Sequence, residues 1–387
     1  MTDIKKLDKT YIVNTYLRFP VEIVKGKGSL CYDSCGKQYI DMGAGIAVNT
    51  FGYSDKKWRK AVKNQLNAFQ HTSNLYYSKP CAILAETLCN KTGMKKVFFA
   101  NSGAEANECA IKVARKYAAD KYGKDRCNIV TLVNGFHGRT IATLAATGQD
   151  VFHNNFGPFP AGFSYAKAND SESVKALIGN NTAAIMMELV QGEGGVNPLD
   201  ESFVKDVYTL CKERDILLII DEVQTGNGRT GKLYSYMHYG IKPDIVTTAK
   251  GLGGGLPIGA CMLNEKTENV LSYGDHGSTF GGNPAIAAGA LNIINRINDA
   301  LLAEVNKKSE YIFNKLKGAK GIISVSGKGL MIGVKTEKDA KTVVSACMEK
   351  GVLFLTAKDK VRLLPALNIP FGLLKQAIDT LVNVCAD

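Results

Sequence analysis

Hydrophobic and polar positions fall into three successive patterns along the chain. Up to about residue 50, short mixed runs at 21–24, 30–33 and 38–42 are broken by Gly26-Lys27-Gly28, which predicts a small antiparallel sheet. Trp58, Val62, Leu66 and Phe69 recur at helical spacing and predict a helix over 56–69. From about Lys95 the pattern changes to short apolar runs alternating with longer amphipathic segments. It predicts strands over 96–100, 128–133, 183–190, 216–220 and 245–249, with helices over 104–121 and 203–214. After Pro284 a helical connection over 285–300 continues to about 316. Strands at 322–325 and 330–334 and helices at 337–350 and 371–384 follow.

Alternation of this kind predicts an α/β fold whose large domain has a mainly parallel sheet. In such sheets ligands sit beyond the carboxyl ends of the strands. The 387 residues exceed a typical single domain. The expected division is a large domain over 51–284, inserted into a smaller α+β domain made from both chain ends, 1–50 and 285–387.

Hydrophobic residues make up 45% of the chain, enough for a sizeable core. The net charge of +12 raises nucleic-acid binding, but the basic residues are scattered and the densest cluster, Lys56-Lys57-Trp58-Arg59-Lys60, is short. A solvated face that attracts anionic small molecules is the expectation instead. Ten cysteines contain no Cys-x-x-Cys pair, which predicts reduced thiols. Five histidines form no His-Glu-x-x-His pattern, so no zinc site is expected. Met1-Thr2-Asp3-Ile4-Lys5-Lys6 lacks the apolar stretch of a signal peptide, and no window approaches the ~20 apolar residues of a membrane span. The chain is therefore expected to be cytoplasmic, with no membrane or nucleic-acid partner.

The chemistry gathers at the predicted strand ends. The apolar run 216–220 ends abruptly in Asp221-Glu222-Val223-Gln224. Burying a carboxylate there is costly unless something positive meets it. Lys250 lies between the strand 245–249 and a loop with glycine at 251, 253, 254 and 255. A surface lysine needs no such loop, whereas one that carries a cofactor does. One ligand uses both groups: pyridoxal phosphate, whose aldehyde joins a lysine and whose pyridinium nitrogen meets an aspartate. Asn101-Ser102-Gly103-Ala104-Glu105 opens a helix after a strand, where free N–H groups can bind phosphate. Asn101 or Ser102 can cap that helix, with Glu105 completing a capping box from Ser102. In Gly135-Phe136-His137-Gly138-Arg139, Phe136 can stack on a heterocycle and Arg139 offers a planar fork to a carboxylate. Ser278 and Thr279 supply hydroxyls ahead of a helix. They suit a phosphate or carboxylate, and equally a plain turn and cap.

An apolar strand ending in Asp-Glu also describes the magnesium-binding strand of P-loop ATPases. That reading needs Gly-Lys followed by Ser or Thr. The five Gly-Lys pairs are followed by Gly, Gln, Asp, Leu and Gly, so it fails. Dinucleotide binding fails because Leu256 stands where Gly251-Leu252-Gly253 would require a third glycine.

Together these motifs resemble the class III, fold type I pyridoxal-phosphate aminotransferases, and within them the acetylornithine aminotransferases. The likeness includes Gln191-Gly192-Glu193-Gly194-Gly195, Gly228-Arg229-Thr230-Gly231, Ser278-Thr279-Phe280-Gly281-Gly282-Asn283-Pro284 and Val361-Arg362-Leu363-Leu364-Pro365, and spans nearly the full length. The resemblance implies that Lys250 holds the cofactor aldehyde and shuttles a proton, and that Asp221 pairs with the ring nitrogen. It implies Gln224 at the ring hydroxyl, the 102–104 turn (Ser102, Gly103 and Ala104) at the phosphate and Phe136 on the ring. Thr279 would reach phosphate across a homodimer interface. Arg139 and Ser278 would hold the α-carboxylate of the acylated donor. Arg362 would hold a carboxylate of glutamate or 2-oxoglutarate, with Glu193 as a gate on it. Tyr53 departs from the family's usual histidine at a position given no catalytic role. Gly45 stands where ornithine aminotransferases carry a tyrosine, which favours an acylated donor. Succinylornithine, N-succinyl-diaminopimelate, ornithine and 4-aminobutyrate remain alternative donors. Outside the class, the alternative is a non-catalytic basic binding protein.

Overall fold

The computed structural model describes residues 3–387. Its centre is a seven-stranded sheet. In spatial order the strands are Lys96–Ala100, Gly259–Leu263, Ile245–Thr248, Leu217–Asp221, Thr182–Met187, Asn128–Leu132 and Phe163–Ala166. Gly259–Leu263 runs antiparallel to both its neighbours, and the remaining pairings are parallel. The α/β expectation holds. The central strands are apolar without alternation because both faces are covered: every residue of Thr182–Met187 and of Leu217–Asp221 is buried. The helix Gly103–Tyr122 lays Ala110, Val113 and Ala114 against one face, in a cluster with Ile129, Met186 and Ile219.

Two smaller sheets lie outside it, and one of them joins the chain ends. Ile23–Lys27, Leu30–Asp33 and Gln38–Asp41 form the antiparallel ribbon predicted near the start, and Val352–Leu353 adds to it in parallel. Ile322–Lys328, Met331–Thr336, Lys360–Leu363 and Leu355–Ala357 form the other. Ile40 and Met42 share a core cluster with residues from Val305 to Cys385. The predicted helical connection is two helices, Pro284–Arg296 and Asp299–Leu316, broken where Asn298 caps the second. Pro284–Arg296 packs into the cluster of the large sheet. Several elements differ from expectation. Gly259–Leu263 is a strand although it opens on glycine, and Val190–Gln191 leaves the main sheet to pair with Asn197–Pro198. The helices Ile4–Tyr11, Lys79–Thr92 and Ser171–Leu177 and the strand Phe163–Ala166 were not predicted.

Arg229 ties the two regions. It is buried, and its Nη1 donates to the carbonyls of Leu330 at 3.1 Å and Pro365 at 2.6 Å. The segment that carries Arg362 is thereby fixed against the loop that follows Asp221. Among the described residues no helix is long and apolar enough to cross a membrane, and no group of three or more His, Cys, Asp or Glu is placed to hold a metal ion. All ten cysteines are free thiols.

Candidate active site

Parallel pairing aligns Asp221 with Thr247, so Asp221 and Lys250 emerge at the same edge of the sheet. Both line a cavity of about 670 Å³ beyond the strand ends. Asp221 is 3% exposed. One of its oxygens accepts from Asn107 Nδ2 and from His137 Nδ1, each at 2.8 Å, and the other from the Val223 N–H at 2.9 Å. These donors offset the cost of burying the carboxylate. They fill three of its roughly four acceptor sites.

Lys250 opens a short 3₁₀ turn, Lys250–Leu252, with φ of 42°. A left-handed backbone at a residue with a side chain costs about 1–2 kcal/mol. Such strain persists only where the surroundings over-determine it. Lys250 Nζ makes no hydrogen bond or ion pair among the described residues. Burial pushes its pKa down. Glu193 and Asp221 pull it back up, Arg362 adds to the depression, and the net shift is downward.

At the start of Gly103–Tyr122, Ser102 is the cap: its hydroxyl accepts from the Glu105 N–H at 3.2 Å. The Glu105 carboxylate reaches back to the Asn101 N–H at 2.6 Å, one residue earlier than a capping box from Ser102 requires. The N–H groups of Gly103 and Ala104 have no carbonyl within the helix to bond, and both residues line the cavity. A Cβ on Gly103 would stand 2.6 Å from Val223, so only glycine permits that approach.

Phe136 and Arg139 lie at the cavity wall. The Arg139 guanidinium sits 4.1 Å from the Phe152 ring centroid and 5.4 Å from that of Phe136, with no carboxylate partner among the described residues. Glu188, buried on the same wall, accepts from the Phe136 N–H at 2.8 Å and the Gly192 N–H at 3.2 Å, and burial pushes its carboxyl up.

Glu193 and Arg362 form an ion pair at 2.6 Å. Burial pushes the Glu193 carboxyl up, but the adjacent Arg362 more than offsets this and holds it below the ordinary range. Gln224, on the cavity wall, bridges the pair: its Nε2 donates to Glu193 at 3.4 Å and its Oε1 accepts from Arg362 at 3.5 Å.

Ser278 and Thr279 stand apart from the cavity lining. Ser278 Oγ accepts from Asn101 Nδ2 at 3.1 Å and from the Gly281 N–H at 3.0 Å, the turn-and-cap arrangement. Thr279 is exposed beside Phe280, which is 59% exposed. Gly45 lies on a neighbouring apolar cleft with Leu17, Phe19 and Leu355.

Sequence reasoning assigned no role to Asn107, His137, Val223 or Glu188. Asn107 had a signal: it is a polar residue within the apolar stripe of Ala106, Ala110, Val113 and Ala114. Glu188 had a weaker one, a carboxylate inside a predicted strand, 183–190, that is otherwise apolar.

The chain matches the family described as Aminotransferase class-III over residues 11–385. It belongs to that family. It is 50% identical to the acetylornithine aminotransferase of Haemophilus ducreyi, over 99% of this chain and 98% of the relative. The solved N-acetylornithine aminotransferase of Stenotrophomonas maltophilia K279a superposes with a TM-score of 0.85 at 34% identity, covering 98% of each chain. The ornithine aminotransferase of Toxoplasma gondii, solved with partial occupancy of PLP at its active site, gives a TM-score of 0.94 at 31% identity, covering 99% of this chain and 93% of that one. The chain is thus a pyridoxal-phosphate-dependent aminotransferase.

Because the folded chain holds the Lys250 pKa below its unfolded value, the unfolded chain binds the extra proton, and stability rises with pH between the two values. Lys250→Met should therefore raise the melting temperature of the cofactor-free protein at neutral pH. The gain should shrink as pH climbs toward the ordinary lysine range. A melting series against pH checks this, and a gain independent of pH would contradict a depressed Lys250.

Proposed function

We propose that the enzyme transfers the terminal amine of N2-acetylornithine to 2-oxoglutarate, forming N-acetylglutamate 5-semialdehyde and glutamate in arginine biosynthesis. The observation that carries the reading is a lysine with no partner among the described residues, lining one cavity with a buried aspartate that keeps one acceptor site free. The names of the relatives support the acylated donor. Gly45, where ornithine aminotransferases carry a tyrosine, is the sequence feature on the same side, although it lines the neighbouring cleft and not the cavity of Lys250.

The residues present fit pyridoxal phosphate. The unpaired N–H groups of Gly103 and Ala104, at a helix N-terminus capped by Ser102, suit its phosphate. Phe136 suits the ring face, Gln224 the ring hydroxyl, and the remaining acceptor site of Asp221 the ring N–H. When bound, the cofactor supplies an aldehyde that takes up amines and a ring that accepts electrons from the carbon losing its proton. Lys250 Nζ would hold the aldehyde. With its pKa pushed down by burial, it would also be placed to take the proton from the carbon bearing the amine and to return it. Asp221 would pair with the ring N–H, and Asn107 and His137 fix the orientation of its carboxylate.

The two substrates differ in their carboxylates, and two arginines divide that work. Arg139, a cation without a carboxylate partner, takes the α-carboxylate of acetylornithine, with Ser278 assisting. Arg362 takes a carboxylate of 2-oxoglutarate or glutamate after Glu193 moves aside. With the acylated donor bound, the Glu193–Arg362 pair stays closed.

The site is completed in a homodimer, in which Thr279 reaches the partner's phosphate. Supporting this are the exposed Thr279 and the aromatic residues nearby, Phe280 at 59% and Tyr76 at 71% exposed, which leave an apolar face. Residues 1–50 and 285–387 form one unit and 51–284 the other, bridged by the helix Pro284–Arg296. Ten free thiols support a reducing, cytoplasmic setting.

An amino-donor panel with 2-oxoglutarate tests the reaction. Acetylornithine should exceed ornithine in kcat/KM by roughly 10- to 100-fold, and equal values would remove the Gly45 argument. Arg139→Ala should lower kcat/KM for acetylornithine by about 100-fold and for glutamate by less than about tenfold. Equal losses would contradict the division of carboxylates between the two arginines.

A further inference from the structure

Three side-chain donors from three separate segments hold alternate backbone carbonyls around Lys250. Asn227 Nδ2 donates to the Ala249 carbonyl at 3.2 Å, Thr50 Oγ1 to that of Gly251 at 2.7 Å, and Trp58 Nε1 to that of Gly253 at 3.1 Å. Lys250, with its φ of 42°, lies between the first two. Thr50 comes from a strap that is itself strained. Ala44, Gly45, Ile46 and Ala47 have φ of 45°, 64°, 64° and 61°, a left-handed turn in which three residues carry side chains. Asp41 fixes the start of that turn, its carboxylate accepting from the Gly43 and Ala44 N–H groups, each at 2.9 Å.

The strap lies directly on the lysine loop. A Cβ on Gly251 would stand 2.9 Å from Thr50 Oγ1 and 3.3 Å from the Ala47 carbonyl. The strap also meets the segment bearing Arg362. The Leu367 N–H donates to the Thr50 carbonyl at 2.9 Å and the Leu364 N–H to that of Met42 at 2.7 Å. Thr50 is therefore bonded to the loop of Lys250 through its side chain and to the Arg362 segment through its backbone. It is buried and touches neither end directly.

We propose that Thr50 is a positioning residue that holds Lys250 in its left-handed turn and sets it against the Arg362 segment. The proposal rests on the reading of Lys250 as the cofactor-bearing lysine. It separates two functions in one residue. The hydroxyl serves the proton-transfer step at Lys250 Nζ, and the main chain serves the carboxylate site.

Thr50→Val removes the hydroxyl and keeps the carbonyl, whereas Thr50→Ser keeps both. In Thr50→Val, kcat should fall roughly tenfold. Inhibition by glutarate, a dicarboxylate with no reacting group, should stay within about twofold of the parent. Trp58 is the only tryptophan, so its fluorescence reports on the glycine loop without cofactor. Acrylamide quenching of the cofactor-free protein should increase in Thr50→Val. Thr50→Ser should match the parent in all three. Parental kcat in Thr50→Val, equal impairment in Thr50→Ser, or glutarate inhibition weakening in step with kcat would each overturn the proposal. Lys250→Ala separates this from the underlying reading. If it is inactive while Thr50→Val is parental, only the role of Thr50 is lost. If it is active, the assignment of Lys250 fails and the proposal with it.

Discussion

Asp221 ends a strand whose five residues are all buried, and its carboxylate must be met by donors for that burial to be stable. Asn107, His137 and the Val223 N–H meet it, each from a different direction. Those bonds bring three elements together: the start of the helix Gly103–Tyr122, the loop that follows Asn128–Leu132, and the turn after the strand itself. The helix start with its free N–H groups, the aromatic wall at Phe136 and the close approach of Gly103 to Val223 are all organised around that one carboxylate. Parallel register then places Lys250 at the same edge.

The second organising feature is a set of charges that cannot all be satisfied at once. Lys250 is depressed by burial while Glu193 is held down chiefly by Arg362. Under the proposed division of carboxylates, a dicarboxylate that engages Arg362 would displace Glu193. An enzyme that alternates between a donor with one free carboxylate and an acceptor with two needs a pair that opens for one substrate and stays shut for the other. Gln224 touches both members of the pair and lines the cavity.

Fold class and the positions of Asp221, Lys250, Gly103 and Phe136 were legible in sequence because fully buried strands leave unbroken apolar runs and their ends leave abrupt polar ones. The strand Gly259–Leu263 was not, since it opens on glycine and its place is set by antiparallel pairing with Lys96–Ala100 far away in sequence. The break at Asn298 was hidden because both helices keep apolar spacing across it. In the site, His137 lay inside one motif and Asn107 two residues beyond another, yet their bonds to Asp221 span 84 and 114 residues. Thr50 had no signal at all, because its role depends on a strap conformation that no periodicity encodes. Thr279 and Ser278 stand outside the cavity of one chain, so their proposed roles rest on assembly or motion rather than on contacts within the protomer.

The most direct measurement of the central claim is chemical. The protein loaded with pyridoxal phosphate is reduced with borohydride and digested, and the cofactor-bearing peptide is located by mass spectrometry. The account predicts a single modified lysine, Lys250, and no modified peptide in Lys250→Ala. Modification at another lysine, or none after loading, would contradict it.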